Sequence, residues 1–448
     1  MKKIRKAAIL GGGISGLSLA YYLKKYIPDL DIDLYEKKQN FGGVISSIDE
    51  EFFFEQGPHT FRASKSKDLL CLIAELELNE QLIIADRASS HRYIYFRQKL
   101  HPLPRSIGKL LVSPLTRKIV PRLLMEWAVP PSRSKDESIY HFFRRRLGKT
   151  AAEILGDALT AGIFAGDIHK LSISHCFPSL HHMEQQFGSL TKALLLEKKK
   201  HSFPIPHLRG SDLFTLRKGL RYLVEALVQK TPCSFYAGTA VDQIEKSEDQ
   251  VILHSSKGRN PYDFVFCALP STAAASLLHI SLDISAVDII AVNLGFKKKL
   301  SHPRGFGYLV PAAEQEKILG TVFDSDIFPM QNKEAQESRF TVMLGGSRGS
   351  AAQESDEECI QRAVQSLQKH LHISQVPDRI AVKRHAEAIP QYHLFHEEKI
   401  QEFEEQIKQK WPHVRCVGNY LAGVSLNDCI KLSKHAAKEF LKQQCLRP

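Results

Sequence analysis

Cysteine is sparse and scattered in this sequence. The eight cysteines, at positions 71, 176, 233, 267, 359, 416, 429 and 445, show neither close pairing nor metal-like spacing. That excludes a disulfide scaffold and a cysteine-bound metal, and predicts reduced thiols in the core. No metal site is expected. Internal repeats and low-complexity linkers are absent. So is an apolar signal region: Met1-Lys2-Lys3-Ile4-Arg5 leads directly into the first apolar run, and a chain that stays in the cytoplasm is expected. Acidic residues are outnumbered, 49 against 61 Lys and Arg, giving a formal net charge of +12. Such an excess points to nucleic acid or to an acidic membrane surface, and no nucleic-acid-binding signature accompanies it. At 448 residues, 43% hydrophobic and 25% charged, the chain can bury a sizeable core and should form two or three domains.

What is present starts at residue 7. The apolar run Ala7-Ala8-Ile9-Leu10 leads into Gly11-Gly12-Gly13-Ile14-Ser15-Gly16, and the next apolar run, Ile32-Asp33-Leu34-Tyr35, closes on Glu36. Strand, glycine turn, helix, strand and terminal acid in this order form a dinucleotide-binding signature. Gly11 permits the tight turn, Gly13 lets the backbone approach a pyrophosphate, and Gly16 lets the helix pack closely on the sheet. The helix start presents N–H groups and a positive dipole end to the phosphates. Glu36, twenty residues after Gly16, can accept both hydroxyls of an adenosine ribose; Lys37 beside it is counted with the cofactor residues. A glycine-rich turn that binds nothing is the alternative.

A second glycine pair, Gly42-Gly43, and the segment Glu55-Gln56-Gly57-Pro58 suggest further close approach to an extended cofactor, as in flavoproteins that bury FAD. In the middle of the chain, Leu223, Val224 and Leu227 line one helix face. Ser234-Phe235-Tyr236 and Val241 bracket a turn, and Phe264 to Leu269 reads as a buried strand ending at Pro270. Near the end, Val414, Cys416 and Val417 form a short apolar strand that leads through Gly418, Asn419, Gly423, Val424 and Ser425 into a helix with apolar period Cys429, Ile430, Leu432 and Ala436. That helix start would aim a positive dipole at a reduced flavin. Alternation in Ile290, Val292, Leu294 and Phe296, and in Phe340, Val342 and Leu344, predicts strands of a second domain.

The basic excess crowds one stretch, from Arg97, Lys99 and Arg105 through Arg117, Lys118 and Arg122 to Arg144-Arg145-Arg146 and Lys149. Interleaved are Leu110, Leu111, Leu115, Ile119, Val120, Leu123, Leu124 and Trp127. Pro114, Pro121 and Pro130 break the helices, and no uncharged run approaches the roughly 20 residues that span a bilayer. The stretch either lies on an anionic membrane surface or is a solvated basic helical domain with its apolar residues turned inward. Lys198-Lys199-Lys200, with Lys192 upstream, reads as a solvated helix end.

Taken together, Gly57-Pro58, Ala165-Gly166-Asp167, Cys176-Phe177-Pro178-Ser179-Leu180, Gly305-Phe306-Gly307-Tyr308-Leu309-Val310-Pro311, Leu319-Gly320, Met343-Leu344-Gly345-Gly346 and Gly418-Asn419 with Gly423-Val424 and Asn427-Asp428-Cys429 resemble the protoporphyrinogen oxidase family. These are the oxygen-dependent FAD enzymes of haem synthesis, within the monoamine oxidase and phytoene desaturase superfamily. The resemblance covers nearly the whole chain. It implies an α/β and α+β chain: a discontinuous FAD domain (1–64, 221–288, 411–448), a β-sheet substrate domain (65–99, 196–220, 289–410) and an inserted helical, basic, membrane-associating region (100–195). It also implies non-covalent FAD and oxidation of protoporphyrinogen IX to protoporphyrin IX with molecular oxygen, on the cytoplasmic face of a membrane; a homodimer is left open.

Flavin N5 would carry the hydride step, so no side-chain base is nominated. Arg62 occupies the position of an arginine that binds a porphyrin propionate, and its planar fork suits a carboxylate; a surface or structural ion pair is its other reading. The family's macrocycle clamp falls on Leu309, Val322 and Met343, which pattern alone would assign to apolar core. Two positions depart from the family: His59, and Lys218, which interrupts a glycine-rich run before Gly219-Leu220. Coproporphyrinogen III is the alternative substrate. An amine oxidase or isoprenoid desaturase is the alternative activity, although an amine oxidase would need an aromatic cage and the C-terminal loop offers only Tyr420. A flavin-bearing scaffold is the non-enzymatic alternative. Cys429, in the apolar pattern of the last helix, is not expected to attach the flavin.

Overall fold

The computed structural model describes residues 4–104, 107–196, 205, 208–349 and 353–445. Ala7, Ala8, Ile9 and Leu10 form a strand with no polar face, which only a sheet covered on both sides can accommodate. The strand Lys6–Leu10 accordingly sits at the centre of a five-stranded parallel sheet, in the order Ser234–Tyr236, Asp31–Tyr35, Lys6–Leu10, Phe264–Cys267, Val414–Cys416. Its strands come from the beginning, middle and end of the chain. The helices Ile14–Tyr26, Arg221–Lys230 and Leu426–Cys445 cover one face, through Leu17, Leu223, Ile430 and Phe440. The Phe440 ring centre lies 4.9 Å from Phe264 and 5.1 Å from Phe266. Against the other face, where Ala8 and Val265 point, pack the helices Ser271–Leu278 and His396–Lys410 and an antiparallel trio of strands over 241–262.

Cys267 stands level with Cys416 on the neighbouring strand, a pairing that the spacing of the cysteines does not reveal. Cys176, Cys267, Cys359, Cys416 and Cys429 are buried free thiols, but Cys71 and Cys233 are half-buried and Cys445 is exposed. The expectation of a wholly buried set fails because Cys445 ends the last helix, beyond the turn that packs on the sheet.

A second sheet has seven strands, in the order Arg379–Pro390, Ala286–Phe296, Ser338–Gly345, Ile318–Phe323, Gly307–Leu309, Arg92–Phe96, Lys99–Pro102. It is antiparallel except where Gly307–Leu309 meets Arg92–Phe96. The alternating residues Ile290, Val292, Leu294, Phe340, Val342 and Leu344 pack on Cys359, Ala363 and Leu367 of the helix Asp356–Leu371. A reciprocal Ser355–Glu358 capping box starts that helix. One face of the sheet is thereby closed, and the other carries the candidate site.

Residues 107–196 are helical. Pro121 lies in the first turn of the helix Val120–Met125 and so opens a helix where a break was expected, because its missing N–H costs nothing there. The apolar residues of the basic stretch divide. Leu115 and Ile119 are buried, whereas Leu111, Leu124 and Trp127 are exposed, together with Val112 and Met125. The basic run is not simply a solvated face either: Arg146 is fully buried between Glu126 and Glu184, and Arg145 pairs with Glu137 and Glu184. Among the described residues no helix is long and apolar enough to cross a membrane. Lys192 lies in the helix Leu190–Leu196; Lys198, Lys199, Lys200 and Arg105 lie outside the described residues.

Candidate active site

The turn after the first strand is shaped by three glycines with different neighbours. Gly11 has φ +105°, and a Cβ there would come within 2.6 Å of the Ala268 carbonyl oxygen, so only glycine serves. A Cβ on Gly16 would run into the Gly11 carbonyl. Gly13 differs: φ is −75°, and a Cβ would meet only the Gly43 Cα, at 3.9 Å. Nothing in the protein itself demands glycine there. The open strip lies at the start of the helix Ile14–Tyr26, whose first N–H groups, those of Ile14 and Ser15 included, lack intrahelical acceptors. Gly42 is drawn alongside by its N–H to the Gly12 carbonyl (2.8 Å), and Gly42 and Gly43 have φ of +118° and +66°. A pyrophosphate fits this cradle of bare backbone.

Glu36 is buried at the end of the second strand. Its Oε2 accepts from the Gly12 N–H (2.8 Å) and its Oε1 from the Lys38 N–H (2.9 Å), which orients the carboxylate and leaves lone pairs for ribose hydroxyls. Lys37 is exposed. The 237–240 turn is tied to the same place, Gly238 N–H to Lys38 O at 2.9 Å and Thr239 N–H to Glu36 O at 2.8 Å, and so brings Val241 near Glu36. At the other end of the cradle, Gly57 packs so closely on the Val44 carbonyl that a side chain is excluded, and Pro58 follows, exposed.

The C-terminal loop approaches from the opposite side. The Val417 N–H bonds the Cys267 carbonyl (2.9 Å), and the loop Gly418–Val424 leads to Ser425, which caps the last helix through the Asp428 N–H (3.1 Å). Asn419 joins this loop to the second sheet: its Nδ2 reaches the Ala388 carbonyl at 3.4 Å and its own carbonyl accepts from the Tyr392 hydroxyl. Val424 packs against the core of the helical region. Asn427 turns away and caps the helix Lys67–Glu75 through the N–H groups of Asp68 (2.9 Å) and Leu69 (3.1 Å). Cys429 is buried in the first domain's core. Tyr420 is 1% exposed, with its ring 6.2 Å from Phe403, and so builds no aromatic cage.

Strand registers assemble the floor. Leu309 is level with Gly320, and Gly320 with Met343; Val322 lies two residues beyond Gly320 on the same strand. Residues two apart share a face, so Leu309, Val322 and Met343 all lie on the face opposite the helix Asp356–Leu371. Leu309 meets Gly162 of the helix Asp157–Phe164, Met343 packs against the cluster of Ala161 and Ala165, and Val322 against that of Ile327 and Phe328.

The register also exposes a residue that the sequence reading missed. Gly307 is level with Val322 on one side and with Arg92 on the other, which puts Arg92 at the edge of this same floor. Its guanidinium lies 4.6 Å from the Phe306 ring centre. Burial lowers its pKa, and the nearby charge of Arg62 lowers it further. Arg62 is exposed, on the short strand Phe61–Arg62. Neither arginine has a carboxylate partner among the described residues. Two adjacent cations without an anion form a place where a carboxylate would relieve repulsion. The signal was the alternation of Arg92, Ile94 and Phe96, which puts Arg92 on one face with Ile94.

These features agree with comparisons to known proteins. The sequence profile of the flavin containing amine oxidoreductases matches residues 14–441. Human protoporphyrinogen oxidase (Homo sapiens) is 31% identical over 469 residues, covering 98% of each chain. The chain belongs to the protoporphyrinogen oxidase branch of the flavin containing amine oxidoreductases. Coproporphyrinogen III oxidase of Bacillus subtilis is 28% identical over 474 residues, again covering 98% of each chain. A solved structure from Exiguobacterium sp. 255-15 superposes with a TM-score of 0.85 at 24% identity, over 98% of this chain and 99% of that one, and confirms the fold. Membership of the flavin containing amine oxidoreductases makes the chain a flavin-dependent oxidoreductase, and the parallel five-stranded sheet beside the seven-stranded one is consistent with an FAD domain joined to a substrate domain.

Proposed function

We propose that this protein oxidises protoporphyrinogen IX to protoporphyrin IX with molecular oxygen, using FAD held without a covalent bond. The observation that carries the substrate assignment is the Arg62–Arg92 pair at one edge of an apolar floor: two cations for acidic arms and Leu309, Val322 and Met343 for a macrocycle. Residues Gly11 to Gly16, Glu36, Gly42, Gly43, Gly57, Val241 and the loop Gly418 to Ser425 would hold the FAD, which supplies the hydride acceptor when bound. The burial of Cys429 within the apolar core supports a non-covalent cofactor.

In this scheme the chain's own work is orientation and exclusion of water. Arg62 and Arg92 fix the carboxylates, and the three floor residues support the macrocycle without offering a group that could accept a proton. The last helix, capped at Ser425, would offer its positive end to the cofactor when bound. We assign 1–64, 221–288 and 411–448 to FAD binding, and the exposed apolar residues Leu111, Val112, Leu124, Met125 and Trp127, set among basic ones, to contact with an anionic membrane surface on its cytoplasmic side. Coproporphyrinogen III is the second reading, since a relative so named covers the chain equally. The test is porphyrin fluorescence formed from each porphyrinogen by purified, FAD-loaded protein in air. Formation from protoporphyrinogen IX is expected, and its absence refutes the assignment.

A further inference from the structure

A chain of hydrogen bonds, buried at Asn293, Thr341 and Asp324 and part-buried at His59, crosses from the first domain's turn at Gly57 to the second sheet. Asn293, on the strand Ala286–Phe296, donates from Nδ2 to the Glu55 carbonyl (3.0 Å) and to the Thr341 hydroxyl (2.8 Å). Having accepted there, the Thr341 hydroxyl donates to Asp324 Oδ2 (2.7 Å). Asp324 Oδ1 faces His59 Nε2 at 3.0 Å, and His59 Nδ1 faces the Gly57 carbonyl at 3.0 Å. A carbonyl only accepts, so Nδ1 carries a proton. The charges of Asp324 and Glu55 favour a second proton on Nε2, which makes His59 an imidazolium.

We propose that His59 is a positioning residue whose imidazolium, shared between the Gly57 carbonyl and the Asp324 carboxylate, locks the turn over residues 57–60 onto the substrate sheet and so closes the flavin dinucleotide site. The proposal rests on the cofactor placement argued above. Asp324 directly follows the strand Ile318–Phe323, which carries Val322, so the lock also fixes the spacing between the cofactor turn and the substrate floor. Other charges face the pair: Glu55 from the first domain, and Arg339, itself buried beside Glu337, from the strand Ser338–Gly345. Burial alone would lower the His59 pKa, but Asp324, Glu55 and the Gly57 carbonyl outweigh it and raise it to about 9. The lock is therefore fully formed below the ordinary histidine value, near 6.5, and opens as pH rises through about 9.

The experiment measures the FAD dissociation constant of the full-length protein between pH 6 and 10, with the melting temperature of the apo and FAD-loaded forms recorded alongside. In wild type the constant should rise at least tenfold with a midpoint near pH 9. His59→Gln should bind FAD more weakly at pH 7 and show no such rise, and Asp324→Asn should move the midpoint down towards about 6.5. A merely structural pair would lower the melting temperatures of both forms and leave the dissociation constant flat with pH; that result, or an unchanged midpoint in Asp324→Asn, overturns the proposal. A wild-type protein that takes up no FAD at any pH refutes the cofactor placement as well, which separates the two failures.

Discussion

Gly13 and Gly43 approach each other backbone to backbone: a Cβ on Gly43 would come within 3.2 Å of the Gly13 Cα, whereas a Cβ on Gly13 would stand 3.9 Å from the Gly43 Cα and meet nothing else within 4 Å. Gly16, three residues on, has no such room, because its Cβ would run into the Gly11 carbonyl. Of these two glycines of one motif the fold demands only Gly16, and Gly13 is the one we assign to the ligand.

Gly13→Val is therefore expected to abolish FAD retention while the apoprotein keeps its melting temperature within a few degrees. Gly16→Val is expected to prevent folding. Flavin absorbance and thermal melting on the two purified variants decide it, and a Gly13→Val protein that retains full FAD would show the pyrophosphate to lie elsewhere.

Arg62→Ala and Arg92→Ala should each raise the KM for the porphyrinogen, with FAD content unchanged. A charge-assisted hydrogen bond is worth about 1.5–3 kcal/mol, or roughly 10- to 150-fold. Lysine should rescue only partly, since an ammonium lacks the bidentate fork. Steady-state kinetics with flavin quantification is the check; a wild-type KM in both variants would move the carboxylate site elsewhere.

The sequence made the nucleotide half readable because its requirements are local: a glycine spacing, an acid at the end of the next strand, a glycine loop before the last helix. It made Leu309, Val322 and Met343 readable only through resemblance. Arg92 escaped because its place on the same face as Val322 depends on two strand pairings, Gly307 with Val322 nearby in sequence and Arg92 with Gly307 more than 200 residues away. The same holds for His59 and Asp324, 265 residues apart in sequence. Pro121 misled for a local reason, because proline ends a helix from its interior but starts one from its first turn.

Membrane contact should depend on the exposed apolar tip. Sedimentation with anionic vesicles should carry the protein down, with binding weakened by added salt, since exposed charges are screened over about 10 Å at 0.1 M. Trp127→Ser and Leu124→Ser, both at exposed sites, should each weaken it about tenfold. Equal indifference to anionic and neutral vesicles would leave the helical region a solvated domain.

Arg146 lies fully buried between Glu126 and Glu184. Arg146→Leu should destabilise the protein by about 3–5 kcal/mol, because it removes the buried cation between two buried carboxylates and leaves Glu184 with Arg145 alone and Glu126 with hydrogen bonds alone. Burial pushes Glu126 up, but hydrogen bonds from Ser189, Leu190 and Thr191 outweigh it; burial likewise opposes Arg145 and Arg146 at Glu184, and both acids are held below their ordinary value. The wild-type cluster thus stabilises above about pH 4.5 and loses its effect as pH falls through the lowered values. Denaturant unfolding at pH 7 and pH 3.5 should show the gap between wild type and variant shrinking in acid; an equal gap at both would contradict the charged cluster.

The most direct measurement is the steady-state oxidation of protoporphyrinogen IX by the purified, FAD-loaded protein in air, run beside coproporphyrinogen III and followed by porphyrin fluorescence. With cations concentrated at the Arg62–Arg92 edge of an otherwise apolar floor, kcat/KM is expected to be at least tenfold higher for protoporphyrinogen IX, which has two carboxylates, than for coproporphyrinogen III, which has four. A preference for coproporphyrinogen III would overturn the substrate assignment, and the absence of turnover with either, despite bound FAD, would contradict the whole reading of the site.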